Sequence, residues 1–423
     1  MPKKKSAVAI AVGVVLLFVG VVSPLFARGP RWRRVNVGQA TYPMQTIYAF
    51  DSLLIWASTG FGDVLYTKDG GLKWNSFSLD SCCAPLLDGI ANTFFFFDSL
   101  NGWMAGRSEN DINQRGFRSR TTNGGKSWLT QIDFGEYQGV QLQFFNRKKG
   151  IETIRWDCAL KDSFLVTNDS GRTWQIRTTQ VPACAISRFH FVDSLSGWGI
   201  SFRPAPNNTA IDLLRTRDGG NGWAALSVSI PICAGAKIWF QDTLNGWMWH
   251  CNPMVSNQAR FSRTRDGGIT WDSLSGFSGD FWFYTFEMVD TAHFWLAGYN
   301  GFNASAQFSS DGGRTWTEQM PGVGDNIVGF DAVDSNHAYA VGGNGYVYIY
   351  AVPFIGDLNL DWNLAPSDIV LLLNYVFLNR PTSVPPEDMD FNNDCTVTSA
   401  DVVLLLNKVF LGSPELQWGC AEP

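Results

Sequence analysis

Between residues 44 and 350 the chain alternates short apolar runs with tight polar turns. The runs are rich in Phe, Trp, Val and Ile, too short for helices, and bounded by Gly, Asp, Asn and Ser. That pattern predicts strands joined by hairpins. One kind of turn ends in tryptophan and occurs six times: TKDGGLKW (Thr67–Trp74), TTNGGKSW (Thr121–Trp128), TNDSGRTW (Thr167–Trp174), TRDGGNGW (Thr216–Trp223), TRDGGITW (Thr264–Trp271) and SSDGGRTW (Ser309–Trp316). The tryptophans lie 54, 46, 49, 48 and 45 residues apart. A second landmark precedes each turn, clearest as FDSLLIWAS (Phe50–Ser58), FDSLNGWMAG (Phe97–Gly106), VDSLSGWGIS (Val192–Ser201), QDTLNGWMWH (Gln241–His250) and VDTAHFWLAG (Val289–Gly298). A weaker copy is FNRKKGIETI (Phe145–Ile154), and a seventh, VDSNHAYAVG (Val333–Gly342), has no tryptophan turn after it.

Each repeat reads as four antiparallel strands. The apolar run before the landmark Asp is an inner strand. The Asp-Ser-Leu-x-Gly segment is a turn in which Asp bonds its own backbone and Gly takes positive φ. The Gly-Trp run is the second strand, the third leads into the Asp-x-Gly hairpin, and the fourth begins at its Trp. A four-stranded unit of this period is the size of one propeller blade. Seven landmarks against six tryptophan turns predict an all-β, seven-bladed β-propeller whose last blade lacks a strand. Trp32–Val37 reads as a strand starting from a turn tryptophan and is expected to supply it, removing the open edges of the array.

After Tyr350 the period changes. DLNLDWNLAPSDIVLLLNYVFL (Asp357–Leu378) and DFNNDCTVTSADVVLLLNKVFL (Asp390–Leu411) match in register. Each opens with D-x-N-x-D, has Asp at position 12 and runs into an amphipathic helix. Those offsets suit an all-oxygen calcium loop. The expected Ca2+ ligands are Asp357, Asn359, Asp361, the Asn363 carbonyl and Asp368 in the first loop. In the second they are Asp390, Asn392, Asp394, the Thr396 carbonyl and Asp401.

The remaining composition narrows the class. Charged residues make up 17% of the 423, aromatics 14%, and there are 42 glycines, which fits many strands and tight turns. A net charge of −6 with only short basic clusters gives no basis for nucleic-acid binding. Lys3–Lys5, the apolar run Ala7–Val22 and Leu25-Phe26-Ala27 read as a signal peptide over residues 1–27, with an uncleaved anchor as the alternative. Either places the rest of the chain outside the cytoplasm, secreted or at the cell surface, with membrane contact only if the segment is uncleaved. Eight cysteines without a CxxC pair suit an oxidising compartment rather than zinc. Cys233 with Cys251 and Cys158 with Cys184 are candidate bridges, and Cys395 and Cys420 are placed to staple the end of the tail; the connectivity stays open.

These residues carry two resemblances. The S/T-x-D-x-G-x-T-W turn resembles the Asp-box, or BNR, repeat of sialidases and related propellers. The whole repeat, over about residues 30–352, is most similar to propellers of the photosystem II assembly-factor type. The doubled loop and helix, over about 356–420, resembles a type I dockerin, departing at loop position 6, where Trp362 and Cys395 replace the usual Gly. The first resemblance implies that the turn carboxylates are structural. The second implies Ca2+ and a cohesin-like partner domain, with loop positions 10 and 11 (Pro366-Ser367 and Ser399-Ala400) usual in recognition and Leu371, Tyr375, Leu404 and Lys408 available on the helices.

Outside the repeat roles, Trp156, Trp249 and Trp282 are candidate ligand-binding residues, since aromatic faces take up apolar sugar faces and chain ends; blade packing is the alternative. No catalytic residue can be named. A sialidase-like arginine cluster with a tyrosine nucleophile, or a catalytic aspartate pair, is not recognisable. The preferred reading is a non-catalytic propeller that binds a glycan or protein ligand and is joined by a calcium-dependent dockerin-like tail to an extracellular assembly. The alternative is a glycoside hydrolase of a cellulosome-like complex, acting in polysaccharide catabolism.

Overall fold

The structure is a computed structural model. It describes residues 31–35, 37, 42–79, 89–108, 116–132, 139–154, 163–178, 186–202, 211–228, 236–251, 259–274, 281–300, 303–320, 324–351, 355–358, 364–380, 386, 389–412 and 416. Residues 1–27, expected to be a signal peptide or anchor, lie outside these residues. Among them no helix is long and apolar enough to cross a membrane.

The strands form seven four-stranded antiparallel sheets. The inner strands are Met44–Ala49, Gly89–Phe96, Gly139–Phe144, Ile186–Phe191, Lys237–Phe240, Phe281–Met288 and Ile327–Ala332. Blades one to six follow the chain order. The seventh is completed by Arg31–Val35, which pairs with Val347–Ala351. The Arg34 guanidinium lies 4.4 Å from the Tyr346 ring centroid and helps hold this added strand. The chain divides into two units, one over Arg34–Ile349 and one that includes Tyr350–Pro423.

In blades one to six, two polar turns at the same end of the blade set its geometry. In the tryptophan turn of blade one, the Thr67 hydroxyl donates to Asp69 Oδ1 at 2.6 Å and accepts the Gly71 N–H at 3.0 Å, while Asp69 Oδ1 accepts the Lys73 N–H at 3.0 Å. The same three bonds recur at Thr167/Asp169, Thr216/Asp218, Thr264/Asp266 and Ser309/Asp311. Asn123 substitutes in blade two, its Oδ1 accepting the Ser127 N–H at 3.0 Å. In the landmark turn, Asp51 Oδ1 accepts the Leu53 and Leu54 N–H groups, and Asn146 plays that part in the weaker copy. The two turns are tied together, Gly70 N–H donating to Leu53 O and Gly267 N–H to Leu244 O.

The landmark glycine departs from its expected role. Gly102, Gly197 and Gly246 are absent from the positive-φ residues. They are required by space instead: a Cβ at Gly246 would meet the Phe240 ring, and at Gly197 the Phe191 ring. Positive φ belongs to the glycine pairs of the tryptophan turns, and to Ser170 (φ 68°), which takes the first of those places in blade three.

Between blades the core is aromatic. Trp56 stacks on Phe96 of the next blade at 5.0 Å, and Trp128 meets Trp56 edge-on. Trp103 with Phe144 at 3.8 Å and Trp198 with Phe240 at 3.6 Å repeat the stack, with Trp174 and Trp271 as the edges. Trp56, Trp198, Trp247 and Trp295 are fully buried. The inner strand of a blade has a second edge with no strand beside it, and its N–H and C=O groups need partners. Side chains from the preceding blade meet that need. Tyr48 OH donates to Phe96 O and accepts the Phe96 N–H, and the Gln141 and Gln143 amides do likewise for Phe189 and Phe191. His190 Nδ1 accepts the Phe240 N–H at 3.2 Å, and Asp331 of the seventh blade accepts the Ala49 N–H of the first at 2.8 Å.

The second unit contains two helices, α1 (Pro366–Leu378) and α2 (Ser399–Leu411). Leu358, Ile369, Leu372, Met389, Phe391, Val402, Leu405 and Leu416 form its buried core. Pro366 opens α1 at a position where its missing N–H costs nothing, and Gly412 closes α2 in the left-handed region.

Candidate functional site

In the second unit the two expected loops share one hydrogen-bond scheme. In the first, Asp368 accepts the Leu358 N–H at 2.9 Å through Oδ1 and the Ala365 N–H at 2.9 Å through Oδ2. In the second, Asp401 accepts the Phe391 N–H at 2.7 Å and the Thr398 N–H at 2.8 Å. Each position-12 carboxylate thus binds both the start of its loop and the N-terminus of its helix. Asp357, Asp368, Asp390 and Asp401 are all buried. Asp390 accepts the Asp394 and Cys395 N–H groups, and Asn392 Oδ1 the Asp394 N–H, so the second loop curls around its own carboxylates. Bonds from Thr396 and Asn392 hold the Asp394 carboxyl below the usual range.

Asn359, Asp361 and Asn363 lie outside the described residues, as does Trp362. Among the described residues no three His, Cys, Asp or Glu side chains are gathered as a metal set. Cys395, at loop position 6, adopts φ 66°, so a non-glycine residue takes the left-handed conformation where Gly is usual. It is disulfide-bonded.

The helix faces differ from the expected ones. Leu371, Tyr375 and Leu404 pack against the unit's core. The exposed stripe on α1 is Val370, Leu373 and Phe377, and on α2 Val403, Leu406 and Phe410, the same three offsets on both. Phe377 is 62% exposed and Phe410 63%. Helical periodicity alone allowed either face; the core contacts of the loops decide between them.

On the propeller, Trp249 is 6% exposed and packed in a core cluster with Phe261 and Phe286. That is the placement of a packing residue. Trp282 lies on the inner strand of blade six opposite Tyr299, and Trp156 lies outside the described residues. The repeated carboxylates are occupied as turn acceptors. Partial burial pushes Asp169, Asp266 and Asp311 up, but the bonds from Thr and backbone N–H groups outweigh it and hold them down at about 2.

Sequence reasoning missed two charged groups. Arg118 and Glu152, on adjacent blades, form a buried ion pair, with the Trp174 ring 5.6 Å from the guanidinium. On the inner strands, burial and then the charge of Arg188 push the Lys237 ammonium down to about 8, with Glu287 and Asp331 opposing. Its Nζ donates to Thr285 Oγ1 at 2.5 Å in the next blade. Both groups sit at strand positions whose repeat equivalents are mostly apolar or neutral, and that break in the repeat was the available signal.

The chain is thus a mainly β protein, a seven-bladed β-propeller followed by two short helices. Its sequence matches no protein-family profile and no curated protein. Among solved structures it is similar to YCF48 bound to D1 peptide, at a TM-score of 0.57 and 18% identity over 76% of this chain and 96% of that one. YCF48 from Cyanidioschyzon merolae gives a TM-score of 0.57 and 16% identity, covering 76% of this chain and 98% of that one. A GH74 xyloglucanase from Xanthomonas campestris gives 0.56 and 14%, covering 75% of this chain and 53% of that one. At these identities the likeness is one of fold.

Proposed function

We propose that this is a secreted, non-catalytic propeller that binds a peptide, protein or glycan ligand and is tethered through a calcium-dependent, dockerin-like tail. The observation that carries the reading is the doubled loop and helix: the same buried carboxylates, the same backbone bonds and the same exposed stripe at equal offsets. The donor set offered by each loop is entirely oxygen, which suits a hard cation such as Ca2+ and not zinc. Asp357, Asn359, Asp361, the Asn363 carbonyl and Asp368 would hold one ion. Asp390, Asn392, Asp394, the Thr396 carbonyl and Asp401 would hold the other. A bound cation would offset the repulsion between the loop carboxylates and fix the start of each helix.

The stripes Val370/Leu373/Phe377 and Val403/Leu406/Phe410 fit a cohesin-like protein surface, because exposed apolar side chains at helical spacing bury best against another protein. On the propeller, the likeness to a peptide-bound YCF48 favours a peptide or protein ligand, and the Asp-box turns act as structural hairpins.

A second reading, a polysaccharide hydrolase, is favoured by the likeness to the GH74 fold. A glycan and peptide array run beside a polysaccharide hydrolase screen separates the two. Binding without turnover is expected. Turnover of any polysaccharide, abolished by a single acidic substitution, would overturn the non-catalytic reading.

A further inference from the structure

We propose that the cleft between the fifth and sixth blades binds a tetrahedral oxyanion, sulfate or phosphate, through Arg263, Arg265 and Arg314. The proposal is independent of the tail and of the ligand reading above. The repeat supplies an internal comparison. Three sequence positions define each junction between successive tryptophan turns: the residues before and after the Thr of one turn, and the residue after the second glycine of the next. The first junction has Tyr66, Lys68 and Lys126, and the fourth has Arg215, Arg217 and Ile269. The fifth, alone of these junctions, has arginine at all three.

The geometry sets this junction apart as well. The three arginines line a cleft of about 260 Å³ together with Leu274, Thr291 and Asp311. Arg263 is held flat by its aromatic neighbour, its guanidinium carbon 4.9 Å from the Trp247 ring centroid. Arg215 holds the equivalent place in the fourth junction, 5.0 Å from the Trp198 centroid, and donates to Thr243 O at 3.0 Å. The Nε of both arginines is buried without a hydrogen-bond partner; the difference is that among the described residues Arg263 makes no bond to Thr291 matching the one from Arg215 to Thr243.

Arg265 pairs with Asp272 at 2.5 Å, and Arg314 donates to Asp311 O at 2.9 Å. The Asp311 carboxylate is committed to its own turn, accepting from Ser309, Arg314 N–H and Thr315. Burial first, and then the charges of Arg265 and Arg314, lower the Arg263 pKa, with Asp272 opposing. An anion placed here would relieve that repulsion and accept from guanidinium N–H groups that face the cleft beside their existing partners. The volume lies just below the roughly 300–1,000 Å³ of small-molecule pockets, so it suits one charged group and not an oligomer. Three forks present more donors than the two oxygens of a carboxylate can use, and four oxygens in a tetrahedron match them better.

The test is isothermal titration calorimetry on the full chain in low-salt, phosphate-free buffer, with sodium sulfate, sodium phosphate and sodium acetate as probes. Sulfate and phosphate are expected to bind one saturable site, and acetate more weakly. The double variant Arg265→Gln/Arg314→Gln should weaken sulfate binding by at least about tenfold. Both side chains are exposed, so the fold should survive, as circular dichroism would verify. Arg217→Gln, on the fourth blade, should change nothing. Glucose 6-phosphate separates the sources: tighter binding than inorganic phosphate assigns the cleft to an ester, equal binding to the free ion. A wild-type chain without saturable sulfate or phosphate binding, acetate binding as tight as sulfate, or a double variant that binds like wild type would overturn the proposal.

Discussion

At the scale of single residues, the repeated aspartates are acceptors that close their own turns. Asp266 Oδ1 accepts the Thr270 N–H at 2.9 Å, and its Oδ2 accepts the Thr270 hydroxyl. Asn123 fills the same place in blade two and keeps the backbone bond. Asp266→Asn is therefore expected to cost little, and Asp266→Ala about 1–2 kcal/mol in chemical denaturation, the cost of unpaired turn donors. The same bonds define an acid limit. Asp169, Asp266 and Asp311 have folded pKa values of about 2 against 3.8 for the free side chain. Depressed carboxyls contribute stability that is whole above the unfolded pKa and is lost as pH falls through the folded one. Thermal melts should accordingly drop between about pH 4 and about pH 2. A midpoint unchanged across that window would contradict the account. Much of this was legible in the chain, because S/T-x-D-x-G specifies hydroxyl, carboxylate and positive φ at fixed places. The landmark glycine was not: Gly246 follows from the volume of Phe240, a neighbour in space that turn chemistry does not name.

At the scale of elements, each blade is specified twice, by its own turns and by what the next blade presses against it. The second glycine of a tryptophan turn stands at this contact. Gly125 has φ 80°, and a Cβ there would collide with the Trp56 indole of the preceding blade. Gly125→Ala combines backbone strain with overpacking and should destabilise by about 1–3 kcal/mol in urea unfolding. A variant as stable as wild type would mean that the Trp56–Trp128 contact is loose. The inner-strand edges show what periodicity leaves out. Tyr48, Gln143, His190 and Asp331 are chemically unlike, so no repeat unites them, yet each satisfies an N–H group of the following blade. The helices teach a related lesson. IVLLLNYVF and VVLLLNKVF are apolar on more than one face, and contact with Leu358, Met389 and Phe391 selects which face is buried. Leu371 and Leu404 turn inward as a result, leaving Phe377 and Phe410 exposed.

At the scale of the whole molecule, the count of landmarks carried the architecture. Seven landmarks and six tryptophan turns demanded one strand from elsewhere, and Arg31–Val35 provides it. A ring closed by joining the two ends of the array leaves only the short edge strands of its separate blades. Function is less legible because the repeat assigns most conspicuous residues to packing. The informative places are those where the repeat fails, such as the fifth junction, and the tail that does not share it. There the sequence specifies ligand types at calcium-loop offsets, while the arrangement of Asp390, Asp394 and Asp401 about an ion depends on the ion itself. The central functional claim is that this tail is a pair of calcium loops. Calorimetric titration of CaCl2 into the chelator-treated full chain tests it directly, alongside Asp401→Asn. The account predicts two ions per chain, one for each loop, falling to one in the variant. A wild-type chain that takes up no calcium would contradict it.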